Sequence, residues 1–230
     1  MVAINKMLNE KYEKYFEYLN EKMIHNQIIK RGIKKDEVID SFRKVRRDIF
    51  LPSNLKTRAY DDSAIEILPG QTISQPYVVA LMLELLDLSK EHKVLEIGTG
   101  TGWQTVLLSK LAKEVYSIDI RDTLYKFASE RIFDIFKCSN VKLKIDDGYN
   151  GWEEYSPFDR IIVSCSTDEI PQKLVEQLSE NNGVMVIPVG SELNQKLKVI
   201  RKNKEKIDIS ENIDVVFVRL IRSMQNQQNP

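Results

Sequence analysis

Apolar residues fall along this chain in two textures, and the change comes near residue 93. Before it they recur at helical spacing. Met7, Tyr15, Tyr18, Leu19 and Met23 offer a partial apolar face over residues 5 to about 30. Val38, Ile39, Phe42 and Val45 mark a second helix within 34–50. "LPSN" at 51–54 breaks it, and a polar linker with a Pro69–Gly70 turn follows. The dense run "VVALMLELL" then makes a helix from about Gln75 to Leu88. After residue 93, short β-rich runs alternate with helical stretches. "KVLEI", "EVYSID", "NVKLKI", "FDRIIVSC" and "VMVIPV" read as strands, and "GWQTVLLSKLA", "DTLYKFASERIFDIF" and "IPQKLVEQLS" as helices. That alternation demands a doubly wound α/β fold with a mostly parallel sheet. The last runs, "QKLKVIRK" and "IDVVFVRLI", have no helix between them. They are expected to close the sheet edge in antiparallel fashion, with "KNKEK" at 202–206 as the turn. The expected division is a helical section over 1–90, an α/β core over 91–222 and a flexible tail over 223–230, in one structural unit.

Composition narrows the chemistry. Lys+Arg and Asp+Glu balance at 34 each, which gives no reason to expect nucleic acid or an anionic membrane as partner. Cys138 and Cys165 are the only cysteines, with neither a disulfide framework nor a zinc spacing. His25 and His92 are the only histidines, so a metal centre and a Ser-His-Asp triad are poorly supported. The N-terminus is charged throughout and lacks the apolar core of a signal peptide. No apolar run is long enough to span a membrane, and a cytoplasmic protein is expected.

The sharpest signal is "VLEIGTGTGW" at 94–103. A strand ends in Glu96-Ile97, and Gly98, Gly100 and Gly102 lead into a helix. Such a loop lets the backbone turn tightly and approach a ligand at the carboxyl end of a parallel strand. Dinucleotide binding prefers Gly-x-Gly-x-x-Gly. Here the spacing is Gly-x-Gly-x-Gly after an acid, closer to an S-adenosyl-L-methionine (AdoMet) loop. Asp119 ends the next strand, where a carboxylate accepts from both ribose hydroxyls in either cofactor class. Glu96 reads as an acid near the cofactor's amino group or as a brace for the loop. Asp147 and Gly148, after the third strand, form a turn or reach the adenine edge. "QTISQPY" at 71–77 raises a separate question. Ser74 is a good N-cap residue and Pro76 suits a first helical turn, so helix capping is one reading.

With these pieces placed, the chain resembles the protein-L-isoaspartate (D-aspartate) O-methyltransferase family. The likeness rests on an ordered set: "IKRGI" at 29–33, "GQTISQPYVVALMLELL" at 70–86, "VLEIGTGTGWQ" at 94–104, "DGYNGW" at 147–152, "PFDRIIV" at 157–163, "IPVG" at 187–190 and "VVFVRL" at 215–220. The resemblance implies a Rossmann-like class I methyltransferase that uses AdoMet and leaves S-adenosyl-L-homocysteine. It implies Ser74 as the active-site residue. It also implies cofactor contacts from Gln71, Thr72, Ile73, Ser74, Thr99, Asp119, Asp147 and Gly148. The implied substrates are isoaspartyl-containing peptides and proteins, bound by a monomer. Methylation of the free carboxylate would start repair through a succinimide. A carboxylate acceptor is already ionised near neutral pH, so no general base is needed.

Four stretches depart from the family pattern. Ser164-Cys165-Ser166-Thr167 stands where Thr-Ala-Ala or Gly-Ala-Ala is usual. Val45-Arg46-Arg47 replaces Val-Pro-Arg, and Phe217-Val218-Arg219-Leu220 replaces Phe-Val-Pro-Leu. "AIEILPG" stands for a glycine-rich stretch. These changes keep two other readings open: methylation of ordinary aspartate in a dedicated peptide, and AdoMet binding without catalysis. A base N-methyltransferase is disfavoured, because "SCSTDEIP" is not an Asn/Asp-Pro-Pro-Tyr/Phe segment. An oxidoreductase is disfavoured by the glycine spacing.

Overall fold

The structure, a computed structural model, describes residues 2–223, with side chains from Glu10 onward. The expected role of Met7 and the tail beyond residue 223 lie outside the described residues. Helix α1 (Val2–Met23) runs on through a π turn to Ile28, so the long first helix is present. Its apolar face matches the expected one at Met23 but not at the two tyrosines. Tyr15 and Tyr18 are 56% and 62% exposed, while Asn20, Met23, Ile24 and Ile28 are buried. The buried positions follow where the chain meets α2 (Asp36–Lys44), to which the Asn20 amide donates at the Phe42 carbonyl (3.0 Å).

The expected helix over 34–50 stops at Lys44, and a single 3-10 turn covers Arg47–Phe50. The break lets the Arg47 side chain turn inward, where it is fully buried. The polar linker also departs from expectation. Residues 65–73 form a hairpin, β1 (Ile65–Leu68) against β2 (Gln71–Ile73), across the Pro69–Gly70 turn. Ile65 and Ile73 face each other in its register, and both are buried. Helix α3 (Pro76–Leu85) follows with its N-cap at Gln75. Ser74 therefore does not cap it. Pro76 takes the first helical position and sets the cap one residue later.

The α/β core comprises β3 (Lys93–Ile97), α4 (Trp103–Leu111), β4 (Glu114–Asp119), α5 (Tyr125–Ser129), β5 (Val141–Ile145), β6 (Arg160–Val163), α6 (Gln172–Glu176), β7 (Gly183–Ser191), β8 (Asn194–Asn203) and β9 (Lys206–Val215). The strands form one seven-stranded sheet in the order β5-β4-β3-β6-β7-β8-β9. The first five in that order are parallel; β8 and β9 are antiparallel. This is the doubly wound, Rossmann-like architecture with an antiparallel edge. The edge strand β9 starts at Lys206, earlier than "IDVVFVRLI" suggested, and ends at Val215. Residues 216–221 leave the sheet as a strap, bridged through Arg219 to Ser166.

Pleating explains the two cores. Val94, Val115, Ile162 and Val186 point to one face, with α2, α3 and α4. Leu95, Ile97, Ile161, Val163 and Met185 point to the other, with Phe158 and Leu174. Burial on both faces gives the near-continuous apolar runs seen in the sequence. Phe42 of α2 meets the Trp103 ring of α4 edge-on at 5.5 Å, joining the helical section to the core. Phe42→Ala should therefore lower stability by about 3–5 kcal/mol, read from a shifted denaturant midpoint at unchanged m. A loss below about 1 kcal/mol would mean that α2 does not share this core.

Candidate active site

Strand order reverses between β3 and β6, and a crevice opens there beyond the carboxyl ends of the strands. An open cavity occupies it, ≈ 870 Å³ when the solvent-filled mouth is included. The glycine loop with Asp119 lines one part of it, and strand β2 (Gln71–Ile73) with Ser74 another. Trp103, Gln104, Arg121, Gly148, Ser164, Cys165 and the 218–221 strap also line it. The tertiary structure thus brings together residues far apart in the chain. Gly98, Gly100 and Gly102 have φ of 95°, 53° and 86°. A Cβ on Gly100 would meet nothing within 4 Å, so the space beside it is open to a ligand. At Gly148 a Cβ would come within 2.4 Å of Ile97 Cγ2; only glycine lets that loop lie against the β3 end.

Asp119 holds the loop from the side. Its Oδ2 accepts from the Gly100 N–H (2.8 Å) and its Oδ1 from the Arg121 N–H (3.0 Å). Arg121 in turn donates to the Pro69 carbonyl (3.2 Å), so the hairpin turn leans on the end of β4. Gln71 Nε2 donates to Thr123 Oγ1 (3.3 Å), while Gln71 Oε1 is buried with no partner among the described residues. The open space at Gly100, the carboxylate of Asp119 and the unfilled acceptor on Gln71 fit a polar nucleoside cofactor.

Glu96 lies at 0% exposure and does not line this cavity. The strand alternation turns it toward α4. It accepts from Thr105 Oγ1 (2.6 Å), Ser117 Oγ (2.6 Å) and Gln104 Nε2 (3.0 Å). Ser117 also meets Thr99 Oγ1 at 2.7 Å, and Gln104 reaches Ser164 Oγ at 2.7 Å. Of its two sequence readings, this geometry matches the brace. Burial pushes the Glu96 carboxyl up to about 7, against three hydrogen bonds that favour its charge. Gly102 is the N-cap of α4 and packs toward Ala128 and Ile132, outside the cavity lining. Asp147 is also outside it. Its side chain accepts from the Tyr149 N–H (3.0 Å) and the Ser223 N–H (3.1 Å).

Ser74 lines the cavity, and its hydroxyl makes no hydrogen bond among the described residues. Its backbone is held from behind. Arg47 Nη2 donates to the Ser74 carbonyl (2.9 Å) and the Ile73 carbonyl (3.2 Å). Cys165 is buried in the lining, and burial pushes its thiol well above the ordinary range, so it stays protonated. Neither histidine lines the cavity. Sequence reasoning missed Trp103, Gln104, Arg121, Arg47 and the 218–221 strap as parts of this site. Arg47 and the strap carried a signal, as departures from the family pattern at 45–47 and 217–220, and nothing in that pattern says which arginine turns inward.

Comparison with known proteins gives a consistent result. The family model described as protein-L-isoaspartate(D-aspartate) O-methyltransferase matches residues 18–225. A protein-L-isoaspartate O-methyltransferase from Geobacter metallireducens is 44% identical over 208 residues, 90% of this chain and 95% of the relative. One from Dictyoglomus turgidum is 51% identical over 173 residues, 75% of this chain and 78% of the relative. A solved protein-L-isoaspartate O-methyltransferase superposes with a TM-score of 0.77 at 27% identity; the match covers 87% of this chain and 65% of that one.

Glu96 generates a pH prediction. Its folded-state pKa is raised, so the stability it contributes is full below about pH 4.5 and is lost as pH rises through about 7. Glu96→Gln removes that titration. The stability of the native protein relative to the variant should fall across this window by a few kcal/mol, measured by denaturant unfolding at stepped pH. A flat difference would mean that Glu96 ionises at an ordinary value.

Proposed function

The chain belongs to the protein-L-isoaspartate(D-aspartate) O-methyltransferase family, and from that premise we infer how its own residues carry out the reaction. It transfers a methyl group from AdoMet to the free carboxylate of L-isoaspartyl residues in proteins and peptides. The relatives favour this over methylation of ordinary aspartate and over cofactor binding without catalysis. When bound, AdoMet supplies a methyl on a sulfonium, which becomes the ester methyl on a carboxylate oxygen, with S-adenosyl-L-homocysteine as the other product. The ester is a better electrophile than the carboxylate; attack by the neighbouring backbone nitrogen, which loses its proton as the ester C–O bond breaks and methanol leaves, gives the succinimide that opens the repair route.

The roles follow from the cavity. Gly98, Thr99 and Gly100 offer backbone surface at close range to the cofactor's amino-acid end. Asp119 accepts from the ribose hydroxyls with the lone pairs that Gly100 and Arg121 leave free. Gln71, Thr72 and Ile73 cover the cofactor from the hairpin side, with Gln71 Oε1 as an acceptor in waiting. Gly148 lets the loop after β5 close on the adenine end, and Asp147 holds that loop against Ser223. Glu96 and Gly102 act one layer behind, on the shape of the loop.

Ser74 hydrogen-bonds the acceptor carboxylate and orients one oxygen for attack. One observation carries this role: its hydroxyl is not used as a helix cap, and Ser74 lines the same cavity as the glycine loop. No proton has to be removed from the acceptor. The protonated thiol of Cys165 does not compete as a nucleophile. Two opposite charges disappear in the transfer, so a cavity that excludes water favours the transition state. The balanced charge, 34 cationic against 34 acidic residues, gives no electrostatic reason for a nucleic-acid partner. None of the described helices is long and apolar enough to cross a membrane.

Labelled methyl transfer to a matched pair of short peptides, one isoaspartyl and one aspartyl, tests this. Transfer is expected to the isoaspartyl peptide only, and Ser74→Ala should lower kcat roughly 10–100-fold, the loss of one hydrogen bond to a charged group. Silence on both peptides with AdoMet still bound would refute the acceptor assignment.

A further inference from the structure

Arg47 is the one fully buried guanidinium among the described residues, and no carboxylate lies within ion-pair distance of it. Its hydrogen bonds all go to main-chain carbonyls. Nη1 donates to Ala59 (2.9 Å) and Asp61 (3.4 Å), and Nη2 to Ser63 (3.0 Å), Ile73 (3.2 Å) and Ser74 (2.9 Å). Its carbon lies 5.4 Å over the ring of Trp103, the first residue of α4 after the glycine loop. The Trp103 indole N–H returns to the Val45 carbonyl (3.2 Å), closing a loop of contacts around Arg47. One rigid fork therefore touches both the strand that presents Ser74 and the helix that follows the cofactor loop.

We propose that Arg47 is a positioning residue for methyl transfer: it fixes Ile73 and Ser74 against the glycine loop, so that the acceptor carboxylate is held in line with the transferable methyl. The inference rests on the reading of Ser74 given above and adds what sets its place. Residues 59–64 and Ser74 are irregular, outside any strand ladder. The guanidinium supplies donors in a fixed plane, which an ammonium on a flexible stem does not reproduce. Displacement of a reacting group by about 1 Å costs on the order of a hundredfold in rate. A residue that only stabilised the fold would change the fraction folded and leave kcat per folded molecule alone. A positioning residue lowers kcat in molecules that still bind cofactor.

The test uses the full chain with Arg47→Lys, and Trp103→Phe as a second variant should the first not fold. Folded molecules are counted by AdoMet titration, and kcat on the isoaspartyl peptide is taken per cofactor site. The expected result for Arg47→Lys is AdoMet affinity within about threefold and kcat lower by about a hundredfold. The same substitution in a Ser74→Ala background should lower kcat less than about threefold, because its effect passes through Ser74. Trp103→Phe should lower kcat in the same direction by a smaller factor. Unchanged kcat per site in these variants, beside an active native enzyme, would overturn this inference alone. So would a full additional loss in the Ser74→Ala background. A native enzyme silent on the isoaspartyl peptide would instead overturn the functional reading on which the inference stands.

Discussion

A buried charge must find partners inside the protein, and the arginine at position 47 does so without a carboxylate. Burial lowers its pKa to about 9, still high enough to keep it charged near neutral pH. The charge is spread over carbonyls from residues 59–63 and 73–74, two segments without a common sheet. Irregular backbone carries polar groups that need partners as much as the guanidinium does. Each meets much of the other's need, and of the guanidinium nitrogens only Nε has no partner among the described residues. The linker follows a defined path because of this exchange, and the hairpin reaches the cavity wall at a set depth.

On the opposite wall a second buried polar group plays a comparable part. Glu96 ties β3, β4 and α4 together through Ser117, Thr105 and Gln104, and the chain of contacts continues to Thr99 and Ser164. The glycine loop is thereby held at both its strand and its helix ends. A reaction that needs no base and no nucleophilic side chain leaves alignment as the enzyme's main task. Both walls are built for that task, each around an ionisable side chain that never touches solvent.

The departures from the family pattern acquire local reasons. Arg46, where proline is usual, pairs with Glu13 (2.8 Å) and Asp48 (3.1 Å) and so fastens the N-terminal helix to the segment that carries Arg47. Arg219 donates to the Gly190 carbonyl (2.8 Å) and pairs with Asp168, holding the strap over the cavity. Ser164 joins the Gln104 contact, and Ser166 accepts and donates along the strap at Val218 and Leu220. The Ser166 hydroxyl also donates to the Phe217 carbonyl (3.3 Å), whereas the buried Thr167 hydroxyl has no partner among the described residues.

Local pattern determined a good deal by itself. Burial on both sheet faces produced apolar runs that read directly as parallel strands, and glycine at alternate positions after "VLEI" marked the cofactor loop. Asp119 was legible because a strand end places its side chain by periodicity alone. The tertiary structure decided the rest. Ser74 read equally as a helix cap until the proline after Gln75 set the cap one residue on. Residues 65–73 read as linker, because a short hairpin gains its stability from the side it covers and not from its own composition. "VVFVRL" read as strand, because β propensity reports an extended apolar segment and not whether a neighbour is there to pair with it. Two adjacent arginines read alike, yet one faces Glu13 at the surface and the other is fully buried. Sequence period fixes which face a side chain takes within an element; what that face meets depends on contacts between residues far apart in the chain, and those exist only once the chain has folded.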